Sequence, residues 1–154
     1  MGKLRIAAVS KAPVEKLYAM GHDPEIFPRV CPNLVGMRVI NRSDDRSFVK
    51  AEWTAKAKVI ALSRTIVWIQ EDRWDDDVKC CRFSLSPDYK GNFKKMQGTW
   101  VFKPHGNGTQ MVMDVDFQID HPLVSPGVHR FLDGIMQKNN ECLLQGLAKL
   151  AEKG

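Results

Sequence analysis

Four histidines, His22, His105, His121 and His129, are the first side chains in this sequence that could hold a metal or move a proton. No two of them stand at the spacing that sets a pair of imidazoles around one ion. His105 falls in a turn, His22 and His121 fall at element ends, and His129 falls in the first turns of a helix; each reads as a solvated histidine. Asp114 and Asp116 alternate along one strand, as a carboxylate pair for acid–base work would. Their face is opposite that of Met111, Met113 and Phe117, so they are expected in water. The acid run from Glu71 to Asp77 resembles a calcium loop but lacks its glycine and its distal Glu. Cys31, Cys80, Cys81 and Cys142 form no CxxC and read as reduced thiols that mostly fill apolar space; the adjacent Cys80 and Cys81 point to opposite faces of a strand. No metal and no cofactor is expected.

What remains is a set of rings and thioethers. Gly98, Trp100 and Phe102 share one strand face just before the turn Pro104-His105-Gly106-Asn107-Gly108. Trp53, Trp68, Met96, Met111 and Met113 can join them. Two readings stand side by side: the rings fill an ordinary core, or large rings with flexible thioethers form a pocket that adapts to a hydrophobic guest.

The elements that position these residues follow from periodicity. Residues 3–10 form a first strand. Pro13 opens a helix with Val14, Leu17 and Tyr18 at helical spacing, ending by Gly21. Asp23 caps a second short helix with Pro24 at its first position, and Pro28 and Pro32 keep it short. From Leu34 to Asp120 every signal is β, with turns at Ser43-Asp44-Asp45 and Asp75-Asp76-Asp77. In one strand Val49, Ala51, Trp53, Ala55 and Ala57 alternate with Lys50, Glu52, Thr54, Lys56 and Lys58. A long helix is predicted from about Ser125 to Lys153, with Asn139 interrupting its apolar stripe. Gly134 and Gly146 weaken that helix by up to ~1 kcal/mol each, and on the buried side they would let another element approach closely. The fold expected is α+β: a seven-stranded antiparallel sheet, curled around the last helix, in a single domain over residues 1–154. A sheet of that length must curl, and one helix cannot meet all of it, so a cavity between them is expected.

Composition sets the class. At 154 residues, 44% hydrophobic and 27% charged, the chain reads as one soluble globular domain. No apolar run reaches the ~20 residues of a membrane span, the N-terminus lacks a signal-peptide core, and Ile6 stands where a myristoylation motif wants Ser or Thr. A cytoplasmic protein is expected. The net charge of +5 reads as a solvated surface, with RNA, ribosomes or anionic lipid as the sharper alternative. Lys90, Lys94 and Lys95 form its densest cluster.

The order β-α-α-β6-α, with "APVEKLYAMGHDPEIFPRVCPNLVGMRVI" early and "GNFKKMQGTWVFKPHGNGTQMVMDVDF" late, resembles the START-like (Bet v 1-like) superfamily, and within it the polyketide cyclase/dehydrase and coenzyme-Q-binding group. The resemblance spans nearly the whole chain. It implies a helix-grip fold around a deep apolar cavity that takes lipids, quinones or polyketides. It also implies an aromatic, a Ser and an Arg alternating on the strand after Ser47–Val59. Trp68 matches the aromatic, but Gln70 stands near the Ser and Asp72 near the Arg, removing a hydroxyl and inverting a charge. A bulge could turn Arg73 inward, and Arg64 and Arg82 are further candidate pocket cations. The expected lining is Trp53, Trp68, Gln70, Met96, Trp100, Phe102, Met111 and Met113, closed by Phe131 and Ile135 of the last helix. Binding of a hydrophobic small molecule ranks first, an aromatase/cyclase second, and a ribosome-associating, toxin-like role third. The sequence sets no oligomeric state.

Overall fold

Period-two alternation through the middle of the chain becomes one antiparallel sheet. The computed structural model describes residues 2–59, 62–88, 93–119 and 126–153; at 57–59, 62–64, 119 and 126–132 the description covers the backbone alone. The elements run β1 (Gly2–Ser10), α1 (Val14–Gly21), a 3-10 turn (Pro24–Ile26), α2 (Phe27–Val30), β2 (Leu34–Arg42), β3 (Phe48–Val59), β4 (Leu62–Asp75), β5 (Cys80–Leu85), β6 (Phe93–His105), β7 (Gly108–Ile119) and α3 (Pro126–Glu152). The seven strands lie in the order β1-β7-β6-β5-β4-β3-β2. Every pairing is antiparallel, including β1 with β7. This is the α+β helix-grip architecture expected from the sequence. The expected cap Ser125, together with His121 and Lys90, lies outside the described residues.

The alternation places side chains as polarity demands. Val49, Ala51, Trp53 and Ala55 of β3 are buried on the concave face. Asp114 and Asp116 face outward, where they pair with Arg5 at 2.8 Å and Lys95 at 3.0 Å. Bulges bend the sheet in β2, between Leu34 and Gly36 and between Val39 and Asn41, and in β6 between Phe93 and Lys95. The β6 bulge lets Phe93 and Met96 both be buried while Lys94 stays exposed. Gly98 continues that adjustment: a Cβ there would lie 2.5 Å from the Phe83 ring, so the missing side chain lets Phe83 cross the strand.

α3 packs chiefly on β1, with α1 and α2 along its flank and only light contact with β3. Ser10 fixes this placement, its hydroxyl donating to the Ala148 carbonyl at 2.8 Å. Gly146 permits it, because a Cβ there would lie 2.6 Å from Cβ of Val30 in α2. Gly134, by contrast, is exposed with no neighbour within 4 Å, so only one of the two helix glycines serves close packing. A helix held to the β1 side leaves the concave face of β3 to β6 incompletely covered. No described helix is long and apolar enough to cross a membrane.

His22 departs from the sequence expectation. It is buried rather than solvated, its ring stacked on Trp74 at 3.9 Å and its Nδ1 2.7 Å from the Tyr18 carbonyl oxygen. Burial lowers its pKa, opposed by that backbone contact. His105 is exposed in the β6–β7 turn, as expected. The four cysteines are free; Cys31 and Cys81 are buried and Cys80 and Cys142 half-buried.

Candidate functional site

Where α3 and the sheet part, they enclose a cavity of about 70 Å³. Its floor is the concave face. Trp53 and Ala55 come from β3, Ile66, Trp68, Gln70 and Asp72 from β4, and Cys81 and Phe83 from β5. Phe93, Met96 and Trp100 of β6 and Met113 and Val115 of β7 continue it. Ile135, Met136, Asn139, Asn140 and Leu143 of α3 form the roof, and Phe27 and Leu34 close one side. The rings pack along the wall rather than across the space. Trp53 stacks on Trp68 with centroids 5.6 Å apart, and Phe93 meets Trp68 edge-on at 5.3 Å.

One polar row crosses this apolar floor. Trp68, Gln70 and Asp72 occupy alternate positions of β4, so all three point inward. Trp68 Nε1 donates to Gln70 Oε1 at 3.1 Å, and Gln70 Nε2 donates to Asp72 Oδ1 at 2.9 Å. Asp72 is 6% exposed and has no cationic partner among the described residues. Burial pushes its carboxyl up to about 6, with the Gln70 amide pulling the other way. The neighbouring Cys81 thiol is driven far up by burial and then by the Asp72 charge, so it stays protonated. The indole Nε1 atoms of Trp53 and Trp100 are also buried without a hydrogen-bond partner among the described residues. An apolar wall with one acid suits a guest that is mostly apolar and carries a hydrogen-bonding group.

The predicted lining is brought together in part. Trp53, Trp68, Gln70, Met96, Trp100, Met113 and Ile135 border the cavity. Phe102 and Met111 do not. They face each other across β6 and β7, and Phe102 packs on Tyr18 at 5.5 Å and Trp74 at 5.9 Å beneath α1. The side chains of Phe131 and Arg64 lie outside the described residues. Arg73 and Arg82 are not pocket cations: both are exposed and border a groove on the outer face of the sheet. No bulge interrupts β4 near Arg73, so the alternation holds, with Asp72 in and Arg73 out. Arg73 instead lies over the Phe48 ring at 5.2 Å and pairs with Glu71 at 3.0 Å.

Asp72 reads from the sequence as a charge inversion at the family's Arg position and is left out of the expected lining. The signal was present, since Asp72 stands two positions from Gln70 and four from Trp68 on one alternating strand. The expectation that a bulge could turn Arg73 inward drew attention from it, and no such bulge interrupts β4. Asn139 carried a signal too: the polar break in the apolar stripe of α3 marks where the helix faces the cavity.

A family model described as polyketide cyclase / dehydrase and lipid transport matches residues 1–152. Among solved structures, the protein TTHA0849 from Thermus thermophilus is similar at 27% identity and a TM-score of 0.86, over 97% of each chain. The ZhuI aromatase/cyclase of a Streptomyces species shares the fold at 13% identity and a TM-score of 0.84, over 99% of this chain and 94% of that one. A START superfamily protein from Mycobacterium smegmatis does so at 17% identity and a TM-score of 0.75, over 98% and 97%. No curated protein sequence matches.

Proposed function

The chain belongs to the polyketide cyclase/dehydrase and lipid transport family, and from that premise we propose that it binds a hydrophobic small molecule, a lipid, quinone or polyketide, between the sheet and α3. The observation that carries this reading is the enclosed space roofed by α3 and walled by Trp53, Trp68, Phe83, Phe93 and Trp100. Rings that served only as core would close on one another to native density. The space of about 70 Å³ exceeds what one water needs but falls below the ~150 Å³ of an apolar void that admits benzene. Even a single-ring guest therefore displaces part of the wall. Met96, Met113 and Met136 are the unbranched, adaptable side chains placed to yield.

The reading is tested by native mass spectrometry of the purified protein with extraction of bound lipid, followed by quenching of tryptophan fluorescence with quinones and aromatic polyketide analogues. A co-purified apolar molecule, or saturable quenching of the empty protein, is the expected result. Folded, lipid-free protein that shows no saturable quenching across the panel overturns it.

A second reading, aromatase/cyclase chemistry, draws on the Gln70–Asp72 pair. An aldol cyclisation needs a donor for the enolate oxygen and a group that moves protons. Gln70 is the neutral donor at hand, and Asp72 is the acid. The lining holds no Arg, Lys or His among the described residues, and an ionised Asp72 repels an enolate. Binding therefore ranks above turnover.

A further inference from the structure

We propose that Asp72 is the specificity-determining residue of this cavity, selecting neutral ring compounds that carry a hydroxyl and rejecting compounds that carry a carboxylate. The proposal deepens the binding reading and rests on it.

Position is the first argument. Asp72 lies on the cavity wall, 6% exposed, at the end of the row Trp68–Gln70–Asp72. Both hydrogen bonds of that row run toward the acid: indole to amide oxygen, then amide nitrogen to carboxylate. The row holds the carboxyl at a set point and uses one of its oxygens. A carboxylate accepts up to about four hydrogen bonds, so most of its capacity stays open.

Charge is the second argument. The strands beside Asp72 bring Val49 of β3 and Phe83 of β5 directly opposite it. Cys81 is the one other titratable group among the described lining residues, and its thiol stays neutral. Without a cation in the lining, a guest carboxylate would be buried unpaired and next to a second acid, the arrangement that proteins avoid most strongly. A hydroxyl on the guest does the reverse. It donates to the carboxylate, or accepts from the carboxylic acid, and satisfies a group that burial alone leaves costly. Asp72 is the one acid in a lining without Arg, Lys or His among the described residues, so an ammonium compound is the competing class that the measurement must separate from a hydroxyl compound.

Equilibrium dialysis near neutral pH with naphthalene, naphthol and naphthoate tests the proposal on the wild-type protein and on Asp72→Asn. Asn keeps the acceptor for Gln70 and removes the charge. The wild type is expected to bind naphthol roughly ten-fold or more tightly than naphthalene, and naphthoate at least roughly ten-fold more weakly. In Asp72→Asn the ratio of naphthol to naphthoate affinity is expected to fall by roughly ten-fold or more, with the circular dichroism of the wild type retained. A ratio unchanged by the substitution, equal wild-type affinity for naphthol and naphthoate, or tighter binding of naphthylmethylammonium than of naphthol overturns the role of Asp72 while leaving the cavity reading standing. No saturable binding of any of these compounds to folded, lipid-free protein overturns this proposal, while the cavity reading stands or falls on the lipid and quinone measurements.

Discussion

Trp74 and Phe102 pack against α1 at one end of the concave face, whereas Trp53 and Trp68 border the cavity beneath α3 further along it, with Trp100 reaching both. At the α1 end the rings interlock. Tyr18 sits edge-on to Trp74 at 5.2 Å and to Phe102 at 5.5 Å, and its hydroxyl donates to Asp76 at 2.7 Å. Gly21 lets the helix approach, since a Cβ there would lie 2.8 Å from the Trp74 ring. At the α3 end the covering helix is drawn toward β1, and the rings are left lining a void. Residue type does not separate the two regions. The distance of the covering helix does, and that distance is fixed remotely, by Ser10 on Ala148 and by Gly146 on Val30.

The contrast is broken most forcefully at Phe102. Phe102→Ala empties a site packed on all sides and is expected to cost about 3–5 kcal/mol in urea unfolding. All four tryptophans remain, so ligand quenching stays readable, and affinity per folded molecule is expected to stay within about two-fold of wild type. A variant that is stable but loses binding would mean that the site extends under α1.

Met111 and Met113 sharpen the comparison because they share a residue type, a strand and a face. Met111 is fully buried opposite Phe102, and Met113 borders the cavity opposite Trp100. Met111→Ala is expected to cost about 2–5 kcal/mol, and Met113→Ala less, because a side chain next to a void has fewer contacts to lose. Only Met113→Ala should change ligand affinity. Equal losses of stability with no change in binding would erase the distinction between the two regions.

The acid row gives a smaller effect with a definite sign. The folded-state carboxyl of Asp72 titrates at about 6, above the unfolded value. Between about pH 4 and about pH 6 the unfolded chain ionises first and the folded chain holds its proton, so this group lowers stability as pH rises through that window. Asp72→Asn lacks the ionisation. It is expected to be more stable than wild type by about 1–3 kcal/mol above about pH 6, with most of the gain absent below about pH 4. Urea midpoints at the two pH values decide it, and a variant less stable at both would show that the carboxylate has a structural partner.

Alternation in Phe48–Val59 and in Gly108–Ile119 made the sheet legible from sequence, because a period of two sorts side chains between core and water wherever one face is buried. The same rule placed Trp68, Gln70 and Trp100 facing inward. It could not separate Met111 from Met113, or Phe102 from Trp100, because each pair shares a face and differs only in what covers it. Tertiary register settled Arg73: without a bulge in β4, the neighbouring Asp72 takes the inward position. His22 was misplaced for a related reason. Nothing local announces that a residue after a short helix will be covered by a tryptophan fifty-two positions away.

The smallest expected effect concerns the outer face, which carries cations that the cavity lining lacks among the described residues. A protein held to RNA by its basic residues needs cations free to neutralise phosphates. Here five of the 23 lysines and arginines are engaged in ion pairs among the described residues: Arg5 with Asp114, Arg38 with Glu52, Lys50 with Asp88, Arg73 with Glu71 and Lys95 with Asp116. Each exposed pair contributes little to stability, but together they intersperse both signs on the outer face. Lys94 is exposed beside the paired Lys95, and one such lysine releases about one counterion at most. Fluorescence anisotropy with single- and double-stranded RNA is therefore expected to show no binding at physiological salt, and Lys94→Glu with Lys95→Glu to change nothing measurable. Breaking Lys95 from Asp116 by the second substitution should shift stability by less than about 1 kcal/mol. Sub-micromolar RNA binding that falls steeply with added salt, and is lost in the charge-reversed variant, would move function from the concave face to the convex one and restore the ribosome-associating reading.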